Sequence, residues 1–133
     1  MMKRIMIVDD SLIIRMNLKK IFEKQGYEVV AEAVNGQEAI EKYMSTQPDL
    51  VTMDITMPQL DGISALQRIH MLDKNACIVM ISALGQEVKI IEAINKGAKH
   101  YIIKPFKEET VTNVINTVLN AGMGGCKNVI NAK

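Results

Sequence analysis

Residues 50–62 read Leu-Val-Thr-Met-Asp-Ile-Thr-Met-Pro-Gln-Leu-Asp-Gly. A short, mainly apolar run ends on a carboxylate, Asp54. Pro58 and Gly62 then leave a loop, not a helix start, immediately after it. A run this short suits a strand buried on both faces of a parallel sheet.

Working outward from it, four more runs of this kind occur, at residues 5–8, 29–31, 78–81 and 101–103. Helical patterns separate them. The first covers residues 11–25 and stops at Gly26, where a left-handed residue can close a helix. The second follows Asn35 as N-cap, is expected to bury Ala39, Ile40, Tyr43 and Met44, and ends before Pro48. The third starts near Asp61 and Gly62, with Ile63, Leu66 and Ile69 on one side. The fourth covers residues 86–96 and ends at Gly97, with Val88, Ile91 and Ala98 expected to face inward. The fifth carries Val111, Val114, Ile115, Val118 and Leu119 at the spacing of a helix packed on a sheet. Five strands alternating with five helices predict an α/β, doubly wound, five-stranded parallel sheet covered on both faces. Residues 1–121 form the expected domain, and residues 122–133, which lack periodicity, read as a flexible tail.

The bulk composition agrees with a single globular domain. The chain has 133 residues, 48% hydrophobic and 23% charged, which leaves room for one domain. A net charge of +1 gives no basic stripe for nucleic acid. No apolar run approaches the roughly 20 residues that span a bilayer, and the N-terminal apolar stretch is too short for a secretory signal, so a cytoplasmic location is expected. Cys77 and Cys126 have neither the number nor the spacing of a disulfide framework or metal centre; Cys77, in an apolar run, reads as core. Met6, Met53 and Met80 read as core filler.

Chemistry in an open α/β sheet gathers at the carboxyl ends of the strands, near the point where strand order reverses. Asp9 and Asp10 follow the first strand, Asp54 ends the third, Ser82 the fourth, and Lys104 with Pro105 the fifth. Taken singly, several have plainer readings. Asp10 or Ser11 could cap the first helix, Ser82 could be an ordinary strand end, and Lys104 could be a surface residue. Together they bring three carboxylates, a hydroxyl and an amine to one edge. Three adjacent carboxylates cannot all stay ionised without a cation. All-oxygen ligands favour a hard metal, magnesium before calcium. This set is suited to a phosphoryl group carried on a carboxylate.

In the segments 7–11, 53–62, 81–83, 97–98 and 104–106 the sequence closely resembles the bacterial response-regulator receiver domain. The stretch from Asp49 to Gly62 is most similar to stand-alone chemotaxis regulators of the CheY type. The resemblance implies a flavodoxin-like strand order, with Asp54 as phosphoacceptor. Asp9, Asp10, Asp54 and the backbone carbonyl of Thr56 would bind Mg²⁺. Ser82 would hydrogen-bond the phosphoryl group and Lys104 would pair with it. Tyr101 would turn inward as an aromatic switch, its plainer reading being a half-buried strand residue with its hydroxyl in water. The Lys104–Pro105 bond would be cis. Thr56 would tune the lifetime of the phosphorylated state.

The implied donor is a histidine kinase. The implied output is a protein partner such as a flagellar motor switch component, reached by a monomeric signalling protein that is not a conventional enzyme. A phosphorelay intermediate or phosphate sink is the alternative within the family. An aspartate-nucleophile phosphohydrolase ranks low, because Thr56 stands where its second Asp belongs. A flavin-binding protein ranks low too, because Asp9-Asp10-Ser11 replaces its phosphate loop.

Overall fold

A computed structural model of the chain describes residues 2–120. Ten elements alternate: β1 (Arg4–Val8), α1 (Leu12–Lys24), β2 (Glu28–Ala33), α2 (Gly36–Thr46), β3 (Leu50–Asp54), α3 (Gly62–Leu72), β4 (Ile78–Ser82), α4 (Glu87–Asn95), β5 (His100–Ile103) and α5 (Glu108–Leu119). All strands pair in parallel, in the order β2-β1-β3-β4-β5. The order reverses at β1, which lies between β2 and β3.

Strand alternation sorts the core into two layers. Met6, Val8, Val51, Met53 and Met80 face α2, α3 and α4 through Tyr43, Leu66, Ile69 and Ala93. Ile5, Ile7, Leu50, Val79 and Ile81 face α1 and α5 through Leu18, Phe22, Val111 and Ile115. The three central strands are buried on both faces almost throughout, as their unbroken apolar runs imply. The outer two are not. β2 extends over Glu28–Ala33 and is mostly half-buried, and β5 exposes Tyr101, because an edge strand has a neighbour on one side only.

Two helix faces differ from the sequence reading. Met44 is exposed, because Tyr43 turns into the core and donates its hydroxyl to Asp73 Oδ2 at 2.7 Å, tying α2 to the end of α3. In α4, Val88 is 80% and Ile91 60% exposed, whereas Ile90 and Ala93 are buried. That helix carries two competing apolar stripes, and periodicity alone cannot say which meets the sheet. Ala98 is buried, as expected.

Local signals fix the ends. Ser11 accepts from Ile14 N as the α1 cap, and Asn35 and Asp61 accept from Glu38 N and Ser64 N at the starts of α2 and α3. Gly26 takes φ +89° after α1, a conformation that L side chains rarely adopt. Cys77 is buried beneath α1 and α5, in the core layer its apolar run implies. Cys126 and the expected tail at 122–133 lie outside the described residues. No helix among the described residues is long and apolar enough to cross a membrane.

Candidate phosphoryl and metal site

The strand register delivers the reactive side chains to one edge. Val8 pairs with Met53, Asp54 with Ile81, and Ser82 with Ile103. Asp9, Asp54, Ser82 and Lys104 therefore stand at or one step beyond neighbouring strand ends, around the β1/β3 reversal.

Asp9 is fully buried. Its Oδ1 accepts from Ser11 N at 2.9 Å, and its Oδ2 lies 3.1 Å from Lys104 Nζ without a well-directed hydrogen bond. Asp54 is 6% exposed, with Oδ2 at 3.4 Å from the same Nζ and Oδ1 at 3.4 Å from Thr56 N. Asp10 sits exposed at the rim. Because Ser11 caps α1, the capping reading of Asp10 is removed. Each of the three aspartates offers one oxygen within 4.8 Å of the others.

Burial, then the charge of Asp9, push the Asp54 carboxyl up to about 6; Lys104 and Thr56 N–H oppose the shift without cancelling it. Burial alone would lower Lys104, but the carboxylates of Asp9 and Asp54 outweigh it and hold the ammonium above its ordinary value. One ammonium thus serves two carboxylates, and the cluster remains short of positive charge. The residues fit a hard divalent cation, since three carboxylate oxygens converge and the buried Asp9 Oδ2 lacks a directed donor.

A second unsatisfied group lies beside them. Ser82 is fully buried, and its Oγ has no hydrogen-bond partner among the described residues. A buried hydroxyl without a partner is costly and calls for an explanation. An acceptor group arriving at Asp54 would supply one.

The loop after Asp54 is held tightly. Gly62 N donates to Ile55 O at 2.8 Å, and a Cβ on Gly62 would lie 2.0 Å from the Asp54 carbonyl oxygen. Only glycine permits that approach. The Lys104–Pro105 peptide bond is cis, and Lys104 N donates to Ser82 O at 2.7 Å. Tyr101 is turned outward, 38% exposed, beside a cavity of about 400 Å³ lined by Ile90, Ile91, Ile94 and Ile103.

Two residues that the sequence reading passed over belong to this site. Arg15 Nη1 donates to the Asp9 carbonyl at 2.7 Å while its Nε meets Glu32 at 3.1 Å, so α1 braces the loop bearing the aspartates. Gln86 Nε2 donates to Thr56 Oγ1 at 2.8 Å, and its Oε1 accepts from Ala83 N at 2.7 Å. The available signal for Gln86 was weak: glutamine is a poor N-cap, and at the start of α4 its side chain makes no cap bond.

Comparison with known proteins agrees with this arrangement. Residues 5–116 match the family described as response regulator receiver domain. The chain is 54% identical over 120 residues to the chemotaxis protein CheY of Bacillus subtilis, covering 90% of this chain and all of that one. It is 53% identical over 116 residues to the chemotaxis protein CheY of Thermotoga maritima, covering 87% and 97%. Among solved structures, a CheX–CheY–BeF3–Mg complex from Borrelia burgdorferi contains a chain that superposes with a TM-score of 0.82 at 41% identity, covering 86% and 87%.

Proposed function

The chain belongs to the response regulator receiver family, and from that premise we propose that it is a single-domain chemotaxis regulator switched by Mg²⁺-dependent phosphorylation of Asp54. The observation that carries the reading is the convergence of Asp9, Asp10, Asp54 and Lys104 beside the unpartnered Ser82 hydroxyl. A relative crystallised with both a phosphoryl analogue and magnesium, at 41% identity, supports it.

Asp54 is the nucleophile: its carboxylate oxygen attacks the phosphorus of a phosphohistidine on a kinase, and the histidine nitrogen leaves. Asp9, Asp10, Asp54 and the Thr56 carbonyl would hold the cation, which when bound offsets negative charge around the transferring group. Lys104 pairs with a phosphoryl oxygen, and the Ser82 hydroxyl donates to another. Those new bonds bias the loop after Ser82, α4 and Tyr101 toward a second arrangement.

The readout surface is α4, β5 and α5, where Val88, Ile91 and Tyr101 are exposed, with Leu84 exposed in the loop that leads into α4. A flagellar motor switch component is the proposed target, with a phosphorelay intermediate as the alternative. The domain spans residues 1–121, acts in the cytoplasm as a monomer, and catalyses only its own phosphorylation and dephosphorylation.

Incubation with acetyl phosphate and Mg²⁺, followed by intact mass, tests the reading. One phosphoryl adduct is expected, lost with EDTA and absent in Asp54→Asn. An adduct that persists fully in Asp54→Asn would contradict the assignment.

A further inference from the structure

The Gln86 carboxamide links the two loops that flank Asp54. It accepts from Ala83 N, in the β4–α4 loop, and donates to Thr56 Oγ1, in the β3–α3 loop. Its orientation is dictated by chemistry: a backbone N–H can only donate, so the amide oxygen must face Ala83 and the NH₂ must face Thr56. Thr56 N in turn approaches Asp54 Oδ1 at 3.4 Å. Ala83 N–H directly follows Ser82, and Ser82 pairs in register one step beyond the partner of Asp54. Of the two adjoining donors, the Ser82 hydroxyl has no partner, whereas the Ala83 amide is already taken by Gln86.

A phosphoryl group on Asp54 brings three strong acceptor oxygens to this corner. The Ala83 amide can donate to it only by leaving Gln86, and Gln86 pins the loop that begins there to Thr56. We propose that the Gln86 carboxamide is an internal competitor for the phosphoryl group: it occupies the Ala83 amide and clasps the β4–α4 loop in the unphosphorylated arrangement. Gln86 is also the residue from which α4 starts, so its release passes directly to the helix bearing Val88 and Ile91. Gln86 is a positioning residue, and its effect is opposite in sign to that of a residue that helps to bind phosphate.

This inference rests on the phosphoacceptor reading of Asp54, and its test separates the two. Beryllofluoride is titrated into the full chain at saturating Mg²⁺ and followed by calorimetry, with wild type, Gln86→Met, Gln86→Glu and Asp54→Asn compared. Methionine keeps the length of the side chain and removes both hydrogen bonds. The expected result is binding about three- to tenfold tighter than wild type, the size of effect that follows when one or two neutral hydrogen bonds no longer compete. Glutamate keeps an acceptor at Ala83, strengthens it with charge and adds repulsion, so binding weaker than wild type is expected. Equal or weaker binding by folded Gln86→Met overturns the proposal. If that variant does not fold, equal or tighter binding by Gln86→Glu overturns it. Absence of binding by wild type would instead sink the phosphoacceptor reading itself, as would full binding by Asp54→Asn.

Discussion

Asp54 meets two opposing demands. A nucleophilic carboxylate must be ionised, yet burial and Asp9 raise its carboxyl from 3.8 to about 6. Its folded value lies above its unfolded one, so the native state binds more protons between the two values, and stability falls as pH rises through that window. Asp54→Asn removes the titration. In EDTA, wild type should lose about 1–2 kcal/mol relative to Asp54→Asn between about pH 4 and 7. Urea melts at a series of pH values measure it, and added Mg²⁺ should restore stability to wild type far more than to the variant. Ser82 makes the complementary case. Its hydroxyl has no partner to lose, so Ser82→Ala should shift stability by less than about 1 kcal/mol while weakening beryllofluoride binding about tenfold. Denaturation and titration of the same sample would reveal a purely structural role as a stability loss without an affinity loss. Asp9, Asp54, Ser82 and Lys104 were legible in the sequence because strand ends in an open sheet are where side chains converge. Arg15 and Gln86 were not. Their parts depend on how far a long side chain reaches between loops, and no periodicity encodes that reach.

At the scale of elements, the central strands were readable because burial on both faces leaves an unbroken apolar run. The edge strands were less so: β2 includes Glu28 and Glu32, since half of its surroundings are open. α4 was misread for a different reason. Its residues offer one stripe through Ile90 and Ala93 and another through Val88 and Ile91, and the observed rotation buries the first. The consequence is measurable. Ile90→Ala should cost about 2–4 kcal/mol, whereas Val88→Glu should change stability by less than about 0.5 kcal/mol. Thermal or urea unfolding of the two variants tests this, and the reverse order would restore the original orientation. A face that costs this little to change is available to a partner, which is where the proposed readout puts it.

For the whole molecule, alternating strands and helices gave the α/β class, but five apolar runs do not order themselves. The order β2-β1-β3-β4-β5 depends on which runs pair, and the family resemblance supplied what patterning could not. That order brings residues from β1, β3, β4 and β5 to one edge, and Gly62 holds the intervening loop against the Asp54 carbonyl. β4 pairs with β3 in that sheet, so a charge added at Asp54 falls beside the start of the β4–α4 loop, whose other end opens α4. The claim on which all of this depends is that the phosphoryl group resides on Asp54. An acyl phosphate is reduced by borohydride to the alcohol, converting the labelled aspartate to homoserine. The most direct measurement is therefore to phosphorylate the chain with acetyl phosphate and Mg²⁺, quench with borohydride and sequence the peptides by mass. Homoserine at position 54 alone is the expected result; homoserine at Asp9, Asp10 or another carboxylate, with Asp54 intact, would contradict it.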